Sequence, residues 1–251
     1  MIQYEYHSEG THGVRTTCKD IPGLRSTLFP QTTALAATGN MTLIEEMAGV
    51  MGTEGRALNN IANGTTFDKG TGLDYWGPTT NIGCAPSPLP PFPLPPCPRV
   101  PAAPAKVGAG CSFSRRDPRW GRFQESISEC PVLNAHYVRA FIRGIQGDGP
   151  VMKIAATCKH FYAYSLEDSD GFTRHDFDAV VSERDLRETY LVPFSACAAA
   201  GVASVMCSYN AVNHLPTCLD GHAQNGILRG EFGFDGPIVS DCGARECSVG
   251  L

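Results

Sequence analysis

Three apolar runs of strand length each end in residues able to do chemistry, and helical patterns separate them. KIAATC leads into Lys159 and His160, VASVMCS into Tyr209 and Asn210, and PIVS into Asp241. Strands apolar along their whole length, alternating with helices, predict a parallel sheet covered by helices on its faces. In such a sheet the functional residues gather at the C-terminal strand edge, which is where these tips fall. The helices are punctuated clearly. Pro131 opens one through VLNAHYVRAFIRGI, with Val138, Phe141, Ile142 and Ile145 at helical spacing and Gly147 just past its end. Ser182 with Asp185 has the pattern of a capping box before ERDLRETYLVPFSACAAA, and Gly201 stops that helix. A shorter helix is predicted around residues 223–229. Nearer the N-terminus, Asn40 is placed to cap a helix through MTLIEEMAGVMGTEGRAL, and LDYWGPTTNI reads as a strand. No glycine-rich dinucleotide turn follows any strand, which favours a closed barrel over an open doubly wound sheet.

The 251 residues suit one α/β barrel in length, but one block interrupts the pattern. Between Gly83 and Ala105 the text APSPLPPFPLPPCPRVPAAP holds ten of the nineteen prolines. Proline lacks the backbone donor and fixes φ, so this block is expected to be a polyproline-like or disordered insertion, or a gene-model artefact. The expected organisation is residues 1–82 and 113–251 as two parts of one barrel domain, with 83–112 inserted. A net charge of −5 and a pI near 5.8 argue against nucleic-acid and membrane-surface partners. No apolar run reaches the length of a membrane span, and MIQYEYHSEG lacks the pattern of a signal peptide. The eleven cysteines include no C-x-x-C pair, so metal-ribbon and thioredoxin readings lack their signature. With N-x-[ST] sequons at Asn40 and Asn63, the cysteines point to an oxidising, secretory compartment.

Six motifs then occur in order outside the proline-rich block: SEGTHGV, RDPRWGRFQES, CKHFYAY, the run from Arg174 through VVSERDLRETYLVPF, VMCSYNAVN with LPTC, and FDGPIVSDCGA. Together they resemble the N-terminal catalytic domain of glycoside hydrolase family 3, nearest its plant and fungal β-xylosidase-like branch. The resemblance implies a (β/α)8 TIM-barrel-like domain, expected here to be incomplete at both ends. It also implies a retaining exo-acting β-glycosidase that hydrolyses terminal β-xylosyl or β-glucosyl residues through a covalent glycosyl-enzyme. Asp241 matches the nucleophile. Glu9, Arg122, Lys159 and His160 match residues that hydrogen-bond the sugar hydroxyls, Arg174 matches an arginine of the same pocket, and Tyr209 a tyrosine beside the nucleophile. Carboxylates and cations suit that task, because sugar hydroxyls both donate and accept. No cofactor is implied, since glycosidic cleavage needs two carboxyl groups and water. The implied substrate is an oligosaccharide or an aryl or alkyl β-glycoside, and the implied partner is a C-terminal α/β domain that supplies the acid/base glutamate.

Other readings stay open at several positions. Asp241 could cap a helix, Arg174 could pair with Asp176 or Asp178, and Tyr209 could be core. Trp120 is expected to pack rather than stack on sugar. Cys207 and Cys218 read equally as a bridge or as buried thiols. The xylosyl preference rests on Glu9, where the family's glucosidases more often carry aspartate, and a longer acid crowds the space of glucose's hydroxymethyl group. A β-N-acetylhexosaminidase, with His175 as its loop histidine, and a non-catalytic carbohydrate-binding remnant are the competing readings. Cys130 replaces an aspartate of the family pattern, which is expected to weaken the loop that orients Arg122. No glutamate matches the family's acid/base, so little turnover of natural glycosides is expected from this chain alone.

Overall fold

The structure is a computed structural model that describes residues 7–15, 25–62, 72–82, 120–169 and 172–244. The proline-rich insertion, the sequon at Asn63 and residues 116–119 of the RDPRWGRFQES motif lie outside the described residues. Five parallel strands form the main sheet in the order β1 (His7–Glu9), β2 (Asp74–Trp76), β3 (Ala155–Phe161), β7 (Ser204–Cys207), β10 (Ile238–Ser240). Sheet order therefore follows chain order with no reversal. A doubly wound sheet reverses direction at a switch point, whereas a barrel adds each strand to the same side. The short pairs β4 (Asp168–Ser169) with β5 (Phe172–Thr173), and β6 (Asp178–Ala179) with β8 (Ala211–Val212) and β9 (Leu215–Pro216), decorate the loops at the strand tips.

The helices begin where the caps predict. Asn40 Oδ1 accepts from the Leu43 amide at 3.1 Å, starting α2 (Met41–Ala62), which follows the short α1 (Thr32–Ala37). Pro131 opens α3 (Pro131–Gln146), and Gly147 ends it at φ 75°. Helices α2 and α3 pack so closely that a Cβ on Gly52 would lie 2.3 Å from the Ile145 carbonyl oxygen, and one on Gly144 would lie 2.2 Å from that of Glu45. The last residue of α3 clamps the sheet. Gln146 Oε1 accepts from the Ala156 and Ala203 amides at 3.3 and 2.9 Å, and its amide donates to the Gly201 carbonyl at 2.9 Å.

Two predicted elements differ from expectation. Ser182 does cap its helix by accepting from the Asp185 amide, but the single helix expected there is divided. A turn, α4 (Glu183–Asp185), passes into a π-helical stretch at Leu186–Tyr190 and then into α5 (Val192–Ala199). Pro193 explains the division: its ring lacks an N–H and crowds the carbonyls of the preceding turn, so the ladder widens before it. The helix expected near residues 223–229 is also π-helical and longer, spanning His222–Glu231.

Among the described residues two disulfides brace the sheet. Cys158 on β3 is joined to Cys197 on α5, and Cys207 at the tip of β7 is joined to Cys218. The second settles the alternative left open by the sequence, and the first had no sequence signal beyond the cysteine count.

Candidate active site

Parallel register brings the tips together. β3 is buried throughout, and Lys159 and His160, just before its last residue, are each 1% exposed. Its register against β7 shifts between Cys158 and Phe161, an irregularity of the kind that re-aims side chains at a strand end. Asp241 follows β10 directly, and its amide donates to the Cys207 carbonyl at 3.3 Å, setting it beside the tip of β7.

The two oxygens of Asp241 are not equivalent. Oδ1 accepts from the Tyr209 hydroxyl at 2.8 Å and the Cys242 amide at 2.7 Å. Oδ2 is buried and finds no hydrogen-bond partner among the described residues, facing His160 Nε2 at 3.4 Å and Arg122 Nη1 at 3.9 Å. His160 is fixed by Asn81, whose amide donates to the His160 carbonyl at 2.8 Å. Asn81 Oδ1 is therefore the acceptor, taking the His160 backbone N–H at 2.8 Å and contacting Nδ1 at 2.9 Å. That assigns the ring proton to Nδ1 and leaves a bare lone pair on Nε2 in the neutral ring. Burial, then the charges of Arg122, Lys159 and Arg174, hold the His160 pKa well below its ordinary 6.5. Two acceptors thus face each other across 3.4 Å, and a hydroxyl about 3 Å from both would donate to either.

The depressed histidine fixes the sign of a pH dependence. The unfolded chain binds a proton near pH 6.5 that the folded ring refuses, so the folded state loses stability as pH falls below 6.5. The expected slope is up to about 1.4 kcal/mol per pH unit for this one site. Urea unfolding at pH 5 and pH 7 checks it: His160→Gln should remove that part of the slope, and an unchanged slope would refute the assignment.

Lys159 Nζ donates to Glu9 Oε2 at 2.6 Å and stands 3.9 Å from Glu125 Oε2. Arg122 Nε and Nη2 donate to the two oxygens of Glu125 at 2.8 and 2.9 Å. Burial opposes charge on Glu125, but the bonds and charges of Arg122, with Lys159 and Thr79, outweigh it and hold its pKa below the ordinary value. On the other wall Arg174 donates to Glu167 at 2.8 Å, its guanidinium lying 4.1 Å above the Tyr209 ring. Tyr164, which donates to Glu167, packs edge-on against His160, Tyr209 and Trp120. Burial, and then the Asp241 carboxylate, raise the Tyr209 pKa, so its hydroxyl remains a donor. Beside Glu9 and Glu125 a cleft of about 490 Å³ opens, lined also by Thr11, His12 and Thr27.

All seven residues expected from the sequence stand at this edge, with different degrees of contact. Arg122, His160 and Tyr209 face Asp241 directly, while Lys159 and Glu9 form a pair further along. Arg174 pairs with Glu167 rather than Asp176 or Asp178, and it reaches Asp241 through the Tyr209 ring. Trp120 is 3% exposed and packs, as expected. The described contacts of Cys130 include those of a helix start, and the partner expected there for Arg122 is found at Glu125 instead. Position 130 is the N-cap of α3, where Ser128 Oγ receives the Cys130 amide at 3.1 Å, and Glu125 is what orients Arg122. Sequence reasoning missed Glu125, Asn81, Tyr164 and Glu167. Only Glu125 carried a signal, its three-residue spacing from Arg122.

A parallel sheet in chain order, with one half-engaged carboxylate among cations and aromatic rings at its C-terminal edge, defines a β/α-barrel-type domain. Residues 113–248 match the glycosyl hydrolase family 3 N terminal domain, and the chain belongs to that family. It is 38% identical over 251 residues to Beta-xylosidase/alpha-L-arabinofuranosidase 2 of Medicago sativa subsp. varia, with 96% of this chain and 27% of that protein covered. It is also 38% identical over 250 residues to Beta-D-xylosidase 1 of Arabidopsis thaliana, with 95% and 27% covered. Among solved structures, a GH3 exo-beta-xylosidase in complex with a xylobiose aziridine activity-based probe superposes with a TM-score of 0.75 at 27% identity, covering 98% of this chain and 28% of that one. A beta-glucosidase from Streptomyces venezuelae in complex with D-glucose gives 0.70 at 30% identity, with 95% and 23% covered. The chain thus spans about a quarter of the length of these relatives.

Proposed function

We propose that Asp241 is the nucleophile of a retaining, exo-acting β-glycosidase that works on terminal β-xylosyl or β-glucosyl residues. The observation that carries this is the asymmetry of its carboxylate: Oδ1 is held by Tyr209 and the Cys242 amide, and Oδ2 has no hydrogen bond among the described residues. Holding one oxygen orients the group, and leaving the other bare preserves the lone pair that attacks the anomeric carbon. The Nε2 lone pair of His160 and the guanidinium of Arg122 flank the attacking oxygen and suit a sugar hydroxyl that donates to one and accepts from the other. The xylosyl preference is supported by the relatives' names and by Glu9, whose Lys159 partner fixes the longer acid in the pocket.

The pocket carboxylates Glu9, Glu125 and Glu167 are each engaged by a cation, so none is arranged as a proton donor to a leaving group. We assign the acid/base to a glutamate of a further α/β domain of the whole protein. The disulfides support folding in an oxidising, secretory compartment. A 2-deoxy-2-fluoro-β-xylosyl fluoride tests the reading, because fluoride departs without acid assistance. One adduct per chain on the Asp241 peptide is expected by mass spectrometry. Sugar binding without an adduct would instead indicate a carbohydrate-binding remnant, and neither binding nor adduct would overturn both.

A further inference from the structure

We propose that Glu125 is a positioning residue that holds Arg122 off the nucleophile. The inference rests on the glycosidase reading above and specifies how its attacking oxygen stays free. The Arg122 guanidinium has two carboxylates within reach. Glu125 takes it with two hydrogen bonds at 2.8 and 2.9 Å, while Asp241 Oδ2 stands at 3.9 Å from Nη1, beyond hydrogen-bonding distance. The bidentate fork wins because it satisfies two donors in one plane. Local structure enforces the choice. Phe123–Glu125 is a 3-10 turn, in which side chains three apart nearly eclipse, so Glu125 folds back onto Arg122. From the sheet side, Thr79 Oγ1 at 3.4 Å and Lys159 Nζ at 3.9 Å hold Glu125 in place.

A direct Arg122–Asp241 bond would occupy the lone pair that must attack carbon. At 3.9 Å the guanidinium still screens the carboxylate's charge without capturing it. The charged and titratable groups around Asp241 are Arg122 from the turn, His160 and Lys159 from the tip of β3, Tyr209 beyond β7, Cys242 beside it, and Arg174 with Glu167 behind Tyr209. Arg122 itself lies between the Glu125 carboxylate, which takes two of its donors, and the Tyr164 ring, 5.7 Å from the guanidinium, so among the described carboxylates Glu125 sets whether Arg122 is held or released. Neutralising it frees the guanidinium to close on Oδ2 and also removes a nearby negative charge. Both effects favour the ionised, less basic form of the nucleophile.

The test is the pH profile of labelling by the same fluoro sugar in the whole chain. Glu125→Gln should lower the labelling rate constant about tenfold while the sugar's apparent affinity changes less than about threefold. The acid limb, which reports protonation of the attacking carboxylate, should move to lower pH by about one unit. Glu125→Asp, which keeps the charge, should return the limb to its wild-type position. An unmoved acid limb, or affinity lost with the rate constant intact, overturns the proposal and leaves the glycosidase reading standing. A wild-type chain that takes no label sinks both. Should Glu125→Gln fail to fold, the limb of Glu125→Asp decides: a limb displaced from the wild-type position overturns the proposal.

Discussion

Asp241→Asn is expected to eliminate covalent labelling by the fluoro sugar, reducing its rate by roughly 10⁴-fold or more, with no loss of stability. The first part follows from chemistry: a carboxamide oxygen is too poor a nucleophile to displace even an activated leaving group. The second follows from geometry. An asparagine oxygen still accepts from Tyr209 and the Cys242 amide, and the new N–H2 faces His160 Nε2, an acceptor 3.4 Å away that the native carboxylate leaves unmatched. Two opposed acceptors become a donor–acceptor pair, so the thermal midpoint should hold or rise by a few degrees. Intact mass and a thermal melt read the two halves separately. Residual labelling near the wild-type rate would move the nucleophile elsewhere. A melt lowered by many degrees would mean that Asp241 serves structure first.

Removal of the Cys158–Cys197 bridge by double alanine substitution should cost roughly 4 kcal/mol, from the chain entropy of a loop closed across 39 residues. For a domain of this size that corresponds to a fall of roughly 10 °C in melting temperature. The Cys207–Cys218 bridge spans only 11 residues, and its loss should cost less, roughly 3 kcal/mol. The larger effect should also reach the chemistry. Cys158 immediately precedes Lys159 and His160, and its partner anchors the strand to α5. Urea unfolding with and without reductant checks the ranking, and a loss below about 1 kcal/mol for the longer loop would refute the entropic account.

Much of this was legible in the sequence because burial and catalysis use different letters. Apolar runs ending in Lys159–His160, Tyr209 and Asp241 announced both the sheet and its working edge, and Asn40, Pro131, Gly147 and Ser182 marked helix ends whose cap geometry the structure bears out. What escaped was whatever depends on the third dimension. Strand β1 is three residues long and gave no periodicity to read, yet it positions Glu9. Asn81 and Glu167 act on partners 79 and seven residues away, and no local pattern encodes those pairings. The π-helical stretch before Pro193 was missed because the helix-forming pattern of residues 183–200 runs on across that proline, whose effect on the preceding turn was not read.

The strands join the sheet in the order in which they are made, and this has a consequence for biogenesis. As the chain leaves the ribosome, each new strand can dock on the one already laid down, without waiting for a distant partner. The segment bearing Asp241 is the last described strand tip to arrive. Until then Glu9 and Glu125 already neutralise Lys159 and Arg122, so the nascent pocket waits with these cations matched and receives the Asp241 carboxylate last among the described strand tips.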